Sequence, residues 1–546
     1  MKHFLLFIFC FLLFFSDNAI AQTPSVLWHF DTKDKSFGQA AIADLDNDGK
    51  PEIVFSCYMN DSCIYVLNAE DGSLLWKKNM GGCNDAAPIV YDIYGDGKKE
   101  VILGSSCNPV LTCFRGDSGI VVWQTPFGGT DSPPSIADVD GDGAVDLLTG
   151  DFAGHLDCFN PVNGILKWQV TVDSNSAIEA SPALVDVNND GHPDIIVNTW
   201  SYGGSGDSTA IYAYDGMTHH LLWKNPLPKD VIYHGAAFGD VDEDGKPELA
   251  ISCYDQNVYL LNGEDGSLKW KYEASDSAYV GDPLTIGDLD NDGHLDLVYI
   301  GGHGEVCALD RFGNLKWNFM LPLYESSFRG ASLADVNNDD TLDVVFASTD
   351  GLLYALNGSR GNLLWSKDLR ADYGNINFGL EQGPIISNFK NDDTLDVFVV
   401  GGYTNYPVID SNYGRAYALK IGIGSGSDWT MFQHDITRSN CTCNATPAGI
   451  ASITAPSLDI NYYPNPFSQN IYFNLSLDKP EDVEAIIYNS EGVAVKTFSS
   501  KKLLIGNNQF IWNGTNDSGA KLGSGIYFCK IIAGKISTVK KLVLLK

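Results

Sequence analysis

Eight short acidic segments recur along the chain, and their residue types point to one kind of chemistry. They read DLDNDGKPE from Asp44, DIYGDGKKE from Asp92, DVDGDGAVD from Asp138 and DVNNDGHPD from Asp186. The series continues with DVDEDGKPE from Asp240, DLDNDGHLD from Asp288, DVNNDDTLD from Asp335 and NFKNDDTLD from Asn388. The shared pattern puts side-chain oxygens at positions 1, 3, 5 and 9, a glycine at 6 and a usable backbone carbonyl at 7. Several anionic oxygens wrapped by one short loop are the donor set of a hard cation, and Ca2+ takes such ligands at about 2.3–2.6 Å. The last ligand comes at position 9 and the flanks are β-rich, unlike a helix-flanked EF-hand loop. A single loop of this kind also reads as an Asp-Gly turn capped by its own side chains. Repetition favours the cation, because three or four carboxylates packed together repel without one.

The expected ligand sets are Asp44, Asp46, Asp48, Glu52; Asp138, Asp140, Asp142, Asp146; Asp186, Asn188, Asp190, Asp194; Asp240, Asp242, Asp244, Glu248; and Asp288, Asp290, Asp292, Asp296. A sixth, Asp335, Asn337, Asp339, Asp343, has Asp340 where glycine is expected. Two segments depart further. Tyr94 leaves Asp92, Asp96 and Glu100, while Asn388 and Lys390 leave Asp392 and Asp396 and offer an ammonium in place of a metal. About five or six Ca2+ are therefore expected, in a structural role that fixes hairpins.

The acidic segment is half of a repeat of about 48 residues. The other half is an apolar strand, a Gly turn and a Trp strand, as in IYVLNAEDGSLLW ending at Trp76. The repeat tryptophans are Trp28, Trp76, Trp123, Trp168, Trp223, Trp270, Trp317 and Trp365. Trp28 precedes the first acidic segment, and the eighth is followed by AYALK without a nearby repeat Trp. The strand around Val26–Phe30 can thus complete the last unit and close a ring, which removes exposed sheet edges. A small residue or Pro stands four positions ahead of most acidic segments (Ala40, Pro88, Pro134, Pro182, Ala236, Ala331, Pro384), with Pro283 one residue out of register. That placement suits an inner strand crowded near an axis. The expectation is an all-β chain: an eight-bladed β-propeller over 22–440, with seven blades as the alternative, then a linker over 441–457 and a small immunoglobulin-like sandwich over 458–546.

Composition bounds the partners. Lys plus Arg number 35 against 69 Asp plus Glu, a formal charge of −34 over 546 residues. Such a surface argues against nucleic acid and against an anionic membrane. Residues 1–21 read as a secretory signal, with Lys2 and His3, an apolar run from Leu5 to Phe15, and Ala19-Ile20-Ala21 before the cleavage point. The run is too short to span a bilayer, and no transmembrane segment is expected in the mature chain. Export permits disulfides. Cys57/Cys63 and Cys107/Cys113 are spaced to pair across hairpins, but recurrence at repeat positions equally describes buried small apolar residues.

The acidic loops resemble the FG-GAP and VCBS repeats of integrin-type propellers, and the Trp half together with DWTMFQHD at 428–435 resembles quinoprotein-like propellers. Residues 458–546 resemble the type A sorting domain of the type IX secretion system, in Tyr463-Pro464-Asn465-Pro466-Phe467, Trp512-Asn513-Gly514, Gly525-Ile526-Tyr527 and the lysine-rich end. That resemblance implies a Bacteroidetes-type bacterium, the type IX machinery as a partner, and an extracellular or outer-membrane-surface address after removal of the signal.

No Ser/His/Asp or Cys/His motif, phosphate loop or zinc-spaced His cluster stands out. The leading expectation is a binding or adhesion module for an extracellular glycan or protein, not an enzyme. The alternatives are a carbohydrate-active lyase or hydrolase, and then a quinone-dependent dehydrogenase, for which the adjacent cysteines common near such a cofactor are lacking. Carboxylates with perturbed pKa values converging in a deep pocket would favour an enzyme. The ligand-face candidates are Trp200 and Tyr202 in the long loop Asn198–Ser208, and Tyr403, Tyr406 and Tyr413 in Gly401–Arg415; packing of the loop on itself is the other reading. Asp85, Asp131, Glu179 and Glu381 each lie seven residues before an acidic segment and are expected at the channel mouth, or as solvated loop residues. His219-His220 is expected to be an exposed turn pair.

Overall fold

The computed structural model describes residues 23–545, except 132, 201–208, 227, 229, 275–279, 322–324, 393, 424, 427–459, 464, 478–480, 490–493, 504–505 and 534–535. It falls into two units, Met1–Gly449 and Ile450–Lys546.

The first unit is eight antiparallel sheets built on one plan. Blade 1 consists of Ala41–Ala43, Glu52–Ser56, Cys63–Asn68 and Leu74–Asn79. Its inner strand is three residues long, the next two strands are almost wholly buried, and the outer strand is mostly exposed with Trp76 buried. Runs such as EIVFS and CIYVLN are apolar on both faces because each blade is covered by a neighbour on each side. The acidic segment joins the first and second strands of every blade.

Ring closure follows the repeat offset. Ser25–Thr32 pairs antiparallel with Tyr413–Gly422, so the N-terminal strand becomes the outer strand of blade 8, beside Leu395–Tyr403 and Ile385–Ser387. Beyond blade 8, Ser425–Gly426 adds to the inner strand of blade 7 opposite Ala334 and Asp335.

The Trp strands staple the blades together. Nε1 of Trp28, Trp76, Trp123 and Trp317 donates to the carbonyls of Ala69, Gly116, Pro161 and Gly358 on the following blade, at 2.6–2.8 Å. The ring then covers the glycine of that blade's outer turn. A Cβ on Gly72, whose φ is +72°, would lie 2.5 Å from the Trp28 ring. In blade 4 the glycine position is His219, at φ +59°, and its imidazole stacks on Trp168 at 4.0 Å. His219 is therefore half-buried packing, contrary to the expected exposed pair; His220 is exposed.

The second unit pairs a three-stranded sheet (Ile460–Tyr463, Ile471–Leu477, Gly506–Trp512) with a four-stranded one (Ala494–Leu503, Glu481–Tyr488, Gly525–Ala533, Ile536–Leu544). Its core gathers Phe467, Phe473, Trp512, Tyr527 and Leu542.

Candidate functional site

Alternation of strand direction sends the acidic segments and outer turns to one face of the propeller, and the remaining loops to the other. Lys50 on the acidic segment of blade 1 pairs with Glu70 on the outer turn, while Met80 and Ser62 bond to each other on the opposite side.

Each acidic segment is wound by its own side chains. Asp44 accepts from Asn47 and Gly49 N–H at 2.8 and 3.1 Å, Asp46 accepts from Asp48, and Glu52 accepts from Leu45 at 2.8 Å. The self-capped turn is thus present, and it leaves oxygens over. Asp44/Asp46/Asp48, Asp138/Asp140/Asp146, Asp240/Asp242/Glu248 and Asp288/Asp290/Asp292 each bring three carboxylate oxygens within 4.8 Å of one another. Asp138 Oδ1, Asp146 Oδ2, Asp240 Oδ1, Asp290 Oδ1 and Asn337 Oδ1 are buried without a hydrogen-bond partner. Converging hard oxygens that lack a donor fit a bound Ca2+. Asp142, Asp244 and Asp296 stand beside these clusters. In the loops at Asp186 and Asp335, with Asp190 and Asp339, the amides of Asn188 and Asn337 turn Nδ2 toward Asp194 and Asp343 at 3.1 and 3.4 Å.

The position-9 carboxyl is the buried member. Burial, then the neighbouring Asp46, Asp48 and Asp44, push Glu52 up to about 7, against the backbone N–H of Leu45. Burial likewise takes Asp343 to about 8, and Asp194 and Asp296 to about 6.

Several loops hold an internal cation that the motif reading missed. Lys167 Nζ lies 2.8 and 2.6 Å from Asp140 and Asp146, and Lys316 Nζ lies 2.9 and 2.6 Å from Asp290 and Asp296. Lys269 binds Asp242, and Glu248 at 2.7 Å. Arg115 sits 2.5 Å from Glu100 in the loop that carries Tyr94. Each of these lysines immediately precedes a repeat Trp, a signal visible in the sequence as Lys-Trp in place of Leu-Trp. Lys390, the expected ammonium, is exposed, and Asp392 is bonded to Thr394 instead.

The opposite face gathers what does not repeat. Arg329, from the loop ahead of blade 7, crosses the axis. Its Nε donates to Phe37 O of the loop ahead of blade 1 at 2.8 Å, and an Nη donates to Asp85 O ahead of blade 2 at 3.3 Å. The other Nη lies 3.4 Å from His234 Nδ1, ahead of blade 5. Burial, then Arg329, hold His234 well below the usual imidazole range, so a neutral ring accepts there. The charges of Asp85, Asp131 and Asp282 act on Arg329. Burial raises all three carboxyls, and Asp131 further raises Asp85. Of the residues expected at the channel mouth or as solvated loop residues, Asp85 and Asp131 are partly exposed, Glu179 is buried, and Glu381 pairs with Lys35. Asp282 and Arg329 carried no motif and escaped the sequence reading.

The aromatic candidates separate. Tyr403 and Tyr413 stack at 5.7 Å, and Tyr413 continues onto Tyr373 at 5.0 Å, so these rings pack the loop on itself. Tyr406 is 72% exposed. Trp200 is half-buried, 6.3 Å from Tyr233. Tyr202 lies outside the described residues, as do Cys441 and Cys443. The disulfide also lies on this face, joining Cys83 to Cys107. This corrects both hairpin pairings: Cys57, Cys63 and Cys113 are free and buried, with Cys113 inside a strand between Ile102 and Trp123.

An all-β, eight-bladed propeller with repeated acidic loops on one face defines the class. Residues 186–251 and 240–299 match the FG-GAP-like repeat, and residues 466–535 match the FlgD Ig-like domain. The fold is similar to the quinohemoprotein alcohol dehydrogenase of Comamonas testosteroni, with TM-score 0.52 and 11% identity over 76% of this chain and 78% of that one. It is also similar to a europium-containing methanol dehydrogenase, with TM-score 0.51 and 12% identity over 73% and 93%. In sequence, 276 residues are 20% identical to the tetrathionate hydrolase of Acidithiobacillus ferrooxidans, covering 48% of this chain and half the length of that relative. No helix of the described residues is long and apolar enough to cross a membrane.

Proposed function

We propose that the mature chain is an extracellular binding module, a propeller whose acidic loops take Ca2+ on one face and whose opposite face receives a glycan or protein ligand. The observation that carries this reading is the division of labour between the faces. The repeated loops are alike and wound mainly by their own side chains, whereas the disulfide, the loop with Tyr406, and the axial cluster around Arg329 all lie on the other side. In the six ligand sets, from Asp44 to Asp343, the side-chain oxygens and the position-7 carbonyl would hold Ca2+. The ion would supply charge neutralisation and rigidity, with the chemistry of any ligand left to the far face. The C-terminal Ig-like domain serves export through the type IX secretion system, which places the protein at the surface of a Bacteroidetes-type bacterium. The test is calorimetric titration of the chelator-treated full chain with Ca2+, followed by a glycan and surface-protein array with the loaded protein. About five or six sites and ligand retention are expected; an array blank with and without Ca2+ refutes the binding role.

One observation favours a second reading. Buried carboxylates with raised pKa values do converge around Arg329, an arrangement that general acid–base chemistry also uses. An extracellular carbohydrate-active enzyme is therefore the alternative, and release of reducing ends or unsaturated products from polysaccharides would establish it.

A further inference from the structure

The axial cluster on the far face is short of hydrogen-bond donors. Asp85, Asp131 and Asp282 all act by charge on one guanidinium, which also donates to the backbone carbonyl of Asp85 at 3.3 Å. Asp85 Oδ1, Asp131 Oδ1 and Asp282 Oδ2 are buried and accept no hydrogen bond, and Asp282 is only 5% exposed. Gln39 joins them: it is 1% exposed, and neither its Oε1 nor its Nε2 has a partner. Its place beside Arg329 is fixed at Gly383, where an added Cβ would lie 3.0 Å from Gln39 Nε2 and 3.3 Å from Arg329 Cβ. Buried polar atoms without partners are costly, and so many at one place call for an occupant.

The spacing of the acids selects that occupant. A small metal ion needs oxygens about 2.4 Å from a common centre. Among the described residues, sets of three acidic groups that close together lie only in the acidic loops. The axial carboxylates come from loops ahead of blades 2, 3 and 6, and an extended ligand with several separate polar hydrogens can meet them one at a time. Burial favours the neutral form of all three carboxyls, and a cation set beside them would favour the ionised form. Four vacant acceptors and one vacant donor ask for a group rich in N–H and O–H. Above them, the partly exposed rings of Phe37, Phe328 and Tyr233 meet edge to face or tilted, at 5.6–6.3 Å, and offer apolar surface to a pyranose ring.

We propose that this axial cluster binds a protonated amino-sugar residue of an extracellular polysaccharide, its ammonium and hydroxyl groups donating to Asp85, Asp131 and Asp282 and an oxygen accepting from Gln39. The inference rests on the binding-module reading and names the ligand class for that face.

The experiment titrates the full Ca2+-loaded chain with a fully deacetylated glucosamine tetrasaccharide near pH 6, with its N-acetylated counterpart and a lysine-containing tripeptide in parallel. Saturable binding of the deacetylated sugar is expected, weakened about tenfold or more by Asp131→Asn and by Asp282→Asn. Asp131 is partly exposed, so Asp131→Asn keeps the test decisive if Asp282→Asn fails to fold. Equal binding of the acetylated sugar, preference for the tripeptide, or indifference to both substitutions overturns the amino-sugar assignment while leaving a binding face. Absence of binding to all three overturns it as well, and the array then decides separately whether the binding-module reading stands.

Discussion

The two faces of the propeller are built by different means. On the acidic face, each loop is wound mainly by its own side chains, with single bonds such as Asn47 Nδ2 to Gly97 O reaching the next blade: Asp44 holds Asn47 and Gly49, and Asp288 holds Asp292 and Gly293 in a similar way five blades on. On the far face, the groups that meet come from different blades, and Arg329 alone touches the loops ahead of blades 1, 2 and 5. Damage on the first face should be local and roughly additive, while on the second it should be shared among several partners.

Removing Ca2+ tests the first face with the largest effect. A site loaded at about 1,000 times its Kd contributes about 4 kcal/mol. Chelation should therefore lower the propeller's melting temperature by more than about 10 °C, leaving the transition of the Ig-like domain in place. A calorimetric trace that chelator does not move removes the metal from that face.

Arg329→Met tests the second face. It deletes the ties to Phe37 and Asp85 and removes the cation that acts on Asp85, Asp131 and the buried Asp282. Breaking a buried ion cluster from one side costs about 3–5 kcal/mol, to be read by urea unfolding at saturating Ca2+. A loss no larger than that of a surface substitution would make Arg329 a bystander.

The acidic face also responds to pH. In the metal-free chain Glu52 is pushed up to about 7 and Asp343 to about 8, from ordinary values of 4.5 and 3.8. The folded state then holds protons that the unfolded chain releases, so stability falls as pH rises from the ordinary carboxyl range through about 8. Ca2+ displaces those protons and should flatten the slope. Melting curves between these limits, with chelator and with Ca2+, should diverge as pH rises; parallel curves would mean that these carboxyls do not meet the ion.

What could be read in the sequence follows the same division. Blade count and the acidic loops were legible because each is written eight times and each copy checks the others. The offset of Trp28 alone foretold its strand's pairing with Tyr413–Gly422. Arg329 was not legible, because its partners lie 292, 244 and 95 residues away and nothing local marks it. The cysteines misled for a related reason. Spacing suggested hairpin pairs, but strand register turns Cys113 into the core, and Cys107 meets Cys83 across two loops that only the fold brings together.

The smallest effect distinguishes loops within the acidic face. Blades 1 and 6 carry the same DLDNDG segment, yet the residue before the repeat Trp is Leu75 in one and Lys316 in the other. Lys316 already bonds Asp290 and Asp296, so Ca2+ entering that loop must displace an ammonium, whereas the loop of Asp44, Asp46 and Asp48 has no lysine at that position. Lys316→Met keeps the aliphatic stem that packs along the outer strand and removes only the competing charge. It should tighten the blade 6 site by about tenfold, the affinity equivalent of 1.4 kcal/mol, and leave blade 1 unchanged. Terbium luminescence titration of the full chain, with Asp44→Asn to silence blade 1, separates the two sites. If Lys316→Met leaves the remaining affinities where they were, the ammonium swings out of the loop at no cost and the acidic face is more uniform than its side chains indicate.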